Sequence, residues 1–98
     1  MAMTEVTLFA ITEKRMEEAR LQIVSDIDSV GHTLSGPEGD LYSAFIYLDD
    51  PTDEDYRILH DILNDYLTRN VLMAAGVYDA TAKKNITTKI LNYTEEAK

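Results

Sequence analysis

Leu41-Tyr42-Ser43-Ala44-Phe45-Ile46-Tyr47-Leu48 is the stretch on which the fold turns. It is rich in Tyr, Phe and Ile, residues that fit a pleated, half-buried surface. Its alternate positions form two sets, Tyr42, Ala44, Ile46 and Leu48 against Leu41, Phe45 and Tyr47, and each holds large apolar groups. A strand that is apolar on both faces belongs inside a sheet rather than at its edge. Val6-Thr7-Leu8-Phe9-Ala10-Ile11 reads the same way, with Val6, Leu8 and Ala10 on one face and Phe9 and Ile11 on the other. These two segments predict the central strands of one sheet.

Immediately upstream of 41–48, Gly36-Pro37-Glu38-Gly39-Asp40 has the composition of a turn, so His32–Ser35 is expected to be a short strand hairpinned to 41–48. Between the two central strands, Thr12 is a helix N-cap followed by Glu13, and Met16, Ala19, Ile23, Ile27 and Val30 recur at helical spacing. Gly31 is expected to stop that helix. Downstream, Asp50 is read as the cap of a second helix with Pro51 at its first position. Thr52 as cap, with Asp55 three residues on, is the alternative. Tyr56, Leu59, Ile62, Leu63, Tyr66 and Leu67 form its buried stripe, and Glu54, Arg57, Asp61 and Asp65 line the other side.

Val71–Tyr78 is ambiguous between a helix extension and a strand. A strand is favoured because Asn70 precedes it and Gly76 lies inside it. Residues 79–85 form a polar connection, and Ile86–Tyr93 is expected to be a last strand before a frayed tail at 94–98. The order is strand-helix-strand-strand-helix-strand with one strand added. It predicts a single α+β domain over residues 1–98, a ferredoxin-like antiparallel sheet with two helices on one face. The topology resembles that of small CRISPR-associated ferredoxin-like nucleases, which implies a metal-dependent nuclease as one reading. Those proteins place an aspartate at the end of the first strand, where this chain has Ile11 and Thr12, so no residue is carried over.

Charge supplies the functional signal. Residues 26–65 hold eleven acidic residues against one base, Arg57, and account for the whole net charge of −9. The densest part, Asp49-Asp50-Pro51-Thr52-Asp53-Glu54-Asp55, puts five carboxylates in seven residues. Carboxylates in a helix's first turn interact well with its positive end, which explains two or three of them. They do not explain a block of one sign, because ordinary surfaces intersperse both. Such a field repels nucleic acid and anionic membrane and attracts basic partners. The lysines Lys83, Lys84 and Lys89 are too few for a nucleic-acid footprint.

Other chemistry is thinly represented. The chain has no cysteine, so it has no disulfide framework and no thiolate nucleophile or zinc ligand, which suits a reducing cytoplasm. Met1–Thr12 lacks the pattern of a secretory signal, and no apolar run reaches the length of a membrane span. Asn85-Ile86-Thr87 and Asn92-Tyr93-Thr94 match the glycosylation triplet, which means nothing without secretion. Asp49, Asp50, Asp53 and Asp55 do not follow calcium-loop spacing, and no metal or cofactor is expected. His32 and His60 share no spacing with a nucleophile or with each other. Gly31 and Gly36 frame four residues as in a phosphate loop, but Pro37 stands where the lysine belongs.

The expectation is therefore a non-enzymatic, cytoplasmic interaction protein. Asp40, Asp49, Asp50, Asp53, Glu54, Asp55, Asp61 and Asp65 would contact a basic, nucleic-acid-binding surface of a partner protein. An inhibitor that mimics nucleic acid, such as a phage anti-CRISPR or anti-restriction protein, is the type. The alternative is a dimeric ferredoxin-like domain that binds or senses a small molecule on the bare sheet face, through Phe9, Ile11, Phe45 and Tyr47.

Overall fold

The computed structural model describes residues 2–93, so the tail expected to fray at 94–98 lies outside the described residues. The elements run β1 (Met3–Ala10), α1 (Glu13–Asp26), β2 (Val30–Glu38), β3 (Leu41–Asp49), α2 (Asp53–Thr68), β4 (Ala74–Asp79), β5 (Lys84–Asn85) and α3 (Thr87–Leu91). They form an α+β fold of the ferredoxin-like type. Its five-stranded sheet has the order β2-β3-β1-β4-β5 and antiparallel pairing throughout. The two doubly apolar segments, β1 and β3, lie side by side inside the sheet, and 71–78 supplies β4 rather than a longer helix.

Burial along β1 alternates strictly. Thr4, Val6, Leu8 and Ala10 face inward, while Glu5, Thr7 and Phe9 keep partial solvent contact. On β3, Ala44, Ile46 and Leu48 are fully buried opposite their β1 partners. The inner face packs on Met16, Ala19 and Ile23 of α1 and on Leu59, Ile62, Leu63 and Tyr66 of α2. Burying these side chains is the main favourable term in folding.

Four local expectations are corrected. Residues 86–93 do not form a strand. The added strand is the two-residue β5, and Thr87–Leu91 is a third helix. Asn85 Oδ1 accepts from Thr87 N, and Thr87 Oγ1 accepts from Val77 N, which closes the edge of β4 and turns the chain. Ile86 and Ile90 are then four residues apart on one helix side, and Ile90 is fully buried in the core.

α1 ends at Asp26 with Ile27 as its cap, well short of Gly31. Gly31 instead lies in β2, at a register shift between Val30 and His32. A Cβ there would meet the Asp49 carboxylate as placed, the end of an exposed side chain that would have to turn aside.

β2 runs on through Gly36, Pro37 and Glu38, because an edge strand tolerates a proline without an N–H. That leaves Gly39 and Asp40 as a two-residue hairpin turn, with Gly39 at φ 63° in the position that demands it. Finally, the cap of α2 is Thr52 and not Asp50. Thr52 and Asp55 form a reciprocal capping box, with each side chain accepting from the other's backbone N–H.

Candidate functional site

The topology gathers acidic residues at one end of the molecule. β1 starts there, with Met3 opposite Asp49 of β3 and Thr4 opposite Asp79 of β4. Asp49 N donates to Ser29 O, which brings the chain just after Asp28 to the same end. Asp50 holds the start of the chain. Its backbone N donates to Ala2 O and its Oδ1 accepts from Ala2 N at 2.6 Å, with the backbone at φ 51°. α2 begins immediately after, with Asp53, Glu54 and Asp55 in its first turn.

Tyr56 reports the resulting field. Its hydroxyl lies 2.7 Å from Thr4 Oγ1. Burial pushes its pKa above the ordinary tyrosine range, and Asp79, Asp53 and Asp55 add to the rise, against a smaller opposing effect of the Thr4 hydrogen bond. Asp79 is a residue that the acidic block of 26–65 leaves out. Only the β1–β4 pairing brings it to the same end as Asp49, on the opposite face of the sheet, where its Oδ1 accepts from Thr81 N and Ala82 N and Lys84 of β5 is its register partner.

The eight acidic candidates are not all brought together. Asp49, Asp50, Asp53 and Glu54 are exposed at the acidic end, while Asp55 is 9 % exposed and engaged in the cap. Asp61 and Asp65 lie further along α2. Arg57 bridges Glu54 and Asp61, and Arg69 pairs with Asp65 at 3.0 Å. Asp61 and Asp65 border a shallow groove of about 330 Å³ between the helices, with Gln22, Ile62, Tyr66 and Arg69. Asp40 sits at the opposite end, in the β2–β3 turn next to the strand position paired with Glu38.

The second surface is the sheet face that the helices leave bare. Phe9, Phe45 and Tyr47 lie on it half-buried, and Ile11 extends the same parity beyond β1, 51 % exposed. The structure adds Leu34 and Tyr78, which are 57 % and 40 % exposed and pair with Phe45 and Glu5. The hairpin expected from 32–48 carried the signal for Leu34, once its turn is shortened to two residues. His32 stacks on Tyr47, with ring centroids 4.4 Å apart. Burial and then Glu5 raise the Tyr47 pKa. His60 is structural: its Nδ1 lies 2.9 Å from Ile90 O, beside Asn64, which donates to Leu91 O.

Among the described residues, no cluster of three or more His, Cys, Asp or Glu is arranged to hold a metal ion. Among the same residues, no helix is long and apolar enough to cross a membrane. The fold and its surfaces define a ferredoxin-like α+β domain with an acidic end and an aromatic open sheet face.

No protein-family model matches the chain. No curated protein matches it either. Among solved structures it is similar to the crystal structure of MupZ from Pseudomonas fluorescens, at 12 % identity and a TM-score of 0.43, over 84 % of this chain and 70 % of that one.

Proposed function

We propose that this chain is a non-enzymatic, cytoplasmic interaction protein whose acidic end occupies a basic, nucleic-acid-binding surface of a partner protein. In that role it acts as an inhibitor or nucleic-acid mimic, of the kind a phage directs against restriction or CRISPR enzymes. The observation that carries this reading is the convergence of Asp49, Asp50, Asp53, Glu54 and Asp79 on one end through strand pairing. Carboxylates fixed on strand ends and a capped helix start are held without further ordering when a partner arrives, which favours affinity. Their summed field speeds the approach of a basic groove and weakens as salt screens it.

The test is capture from lysate by tagged protein at low and high salt, beside a variant carrying Asp49→Asn, Asp53→Asn, Glu54→Gln and Asp79→Asn. Asp55 is left intact because it caps α2. Circular dichroism checks that the variant folds. Nucleic-acid-binding proteins that are retained at low salt, released by duplex DNA and lost in the variant are the expected result. Partners that survive both salt and neutralisation overturn the proposal.

A further inference from the structure

We propose that the open face of the sheet is the interface between two copies of this chain, packed face to face about a two-fold axis parallel to the strands, between β1 and β3. The pattern of side chains across the strands carries the inference. Neighbouring positions on β2, β3, β1 and β4 form lateral rows, and the central row reads Leu34, Phe45, Thr7, Gly76. It is large, large, small, small.

Rotation about the proposed axis exchanges β3 with the partner's β1 and β2 with the partner's β4. Phe45 then meets the partner's Thr7, and Leu34 meets the partner's Gly76, so each large group enters a space that the other copy leaves. In the next row toward the β2–β3 turn, Gly36, Ser43, Phe9 and Ala74 stand side by side. There the partner's Phe9 falls over Ser43, which its own chain already buries and which donates to the Glu38 carboxylate, so the fit rests on the central row. In the row on the other side, His32, Tyr47, Glu5 and Tyr78 stand side by side, and the Tyr47 hydroxyl comes to face the partner's Glu5. A two-fold axis perpendicular to the strands would instead set Phe45 on the partner's Phe45 and small residues on small ones.

Size favours the same occupant, and charge limits where it can dock. Two copies with a net charge of −9 repel each other wherever their acidic surfaces meet. On the open face the strand carboxylates are Glu5 on β1, beside Tyr47, Glu38, which accepts from Ser43 Oγ, and Asp49 at the acidic end, so the central row of Leu34, Phe45, Thr7 and Gly76 is the one free of them. Four strands spaced about 4.8 Å apart and some eight residues long give a footprint of roughly 500 Å² on each copy. Doubled, that reaches about 1,000 Å², where specific interfaces begin. Sheets packed this way lie about 10 Å apart with side chains interdigitated, as the rows require.

Sedimentation of the native chain over a broad micromolar range tests the proposal, with circular dichroism and melting to confirm folding. The expected result is a dimer. Leu34→Glu, at an exposed position that does not threaten the fold, raises its dissociation constant about thirtyfold or more, as loss of a central contact does. Gly76→Leu fills the space opposite Leu34 and disrupts the dimer in the same way, and adding Leu34→Ala to it restores association. A native chain that stays monomeric overturns the proposal, including one that takes up a small apolar ligand on this face as a monomer. So does a dimer untouched by Leu34→Glu. A dimer lost with Leu34→Glu but indifferent to Gly76→Leu overturns the axis stated here.

Discussion

The Tyr56 hydroxyl lies 2.7 Å from Thr4 Oγ1, so a hydrogen bond joins the first turn of α2 to the start of β1 at the acidic end. Thr4 is itself buried, so neither oxygen has an easy substitute in water. This bond ties the start of α2, which carries Asp53 and Glu54, to the strand whose neighbours β3 and β4 end in Asp49 and Asp79.

Tyr56→Phe is expected to cost about 1 kcal/mol, the net worth of one such bond. The loss has a pH signature. The Tyr56 pKa is raised by burial and by Asp79, Asp53 and Asp55, so the folded chain holds the phenolic proton more tightly than the unfolded chain. Its contribution is complete below the ordinary tyrosine range and is lost as pH rises through the higher folded value. Thermal melts from neutral to alkaline pH should fall less steeply for Tyr56→Phe than for the native chain. Parallel declines would show that Tyr56 does not titrate in this way.

The capping box separates architecture from contact surface within the same acid run. Thr52→Ala and Asp55→Ala should each lower stability by about 1 kcal/mol, and the double variant by less than the sum, because the two bonds are reciprocal. Asp53→Asn, exposed in the same first turn, should change stability by no more than about 0.5 kcal/mol. Urea titration reads all four variants. If Asp53→Asn matched Asp55→Ala, the acid run would be structural throughout and would lose its standing as a contact surface.

These contrasts show what the sequence could and could not reveal. β1 and β3 were legible because a doubly apolar segment has one place to go in a sheet, and 71–78 because Gly76 disfavours a helix. The end of α1 was not. Ile27 and Val30 keep helical spacing, yet they enter the core from an extended cap and from a strand, where a different geometry points them inward. Residues 86–93 misled because β-branched Ile and Thr favour strands, whereas Ile90 is placed by tertiary packing under α2. In the candidate site, the run 49–55 was visible as composition. Asp79 was not, since a pairing across β1 brings it in and local sequence holds no trace of that.

Gly31 and Asp49 give a test of the β2 bulge. Gly31→Ala places a methyl group against the exposed Asp49 carboxylate, which must turn aside, and should cost about 0.5–1 kcal/mol, the low end for a single substitution. Asp49→Ala opens that space, so the double variant should recover a large part of the loss. A double-mutant cycle by denaturant unfolding measures the coupling. Additive effects would mean that the cost of a side chain at position 31 does not come from Asp49.

The third helix makes the strongest claim against the expected last strand, and its packing can be tested at one residue. Ile90 is fully buried between α2 and β4, so Ile90→Ala should cost about 2–5 kcal/mol, as removing a core side chain does. Were 86–93 a strand laid on the rim of β4, the same change would cost far less, because an added edge strand has half its side chains in water. Asn64→Ala probes the attachment from the other side by removing the donor to Leu91 O, and about 1 kcal/mol is expected. Hydrogen exchange then distinguishes the two architectures directly. With α3 docked, the Ile90 amide, which donates to Ile86 O, is protected, and Asn64→Ala lowers that protection while β1 and β3 keep theirs.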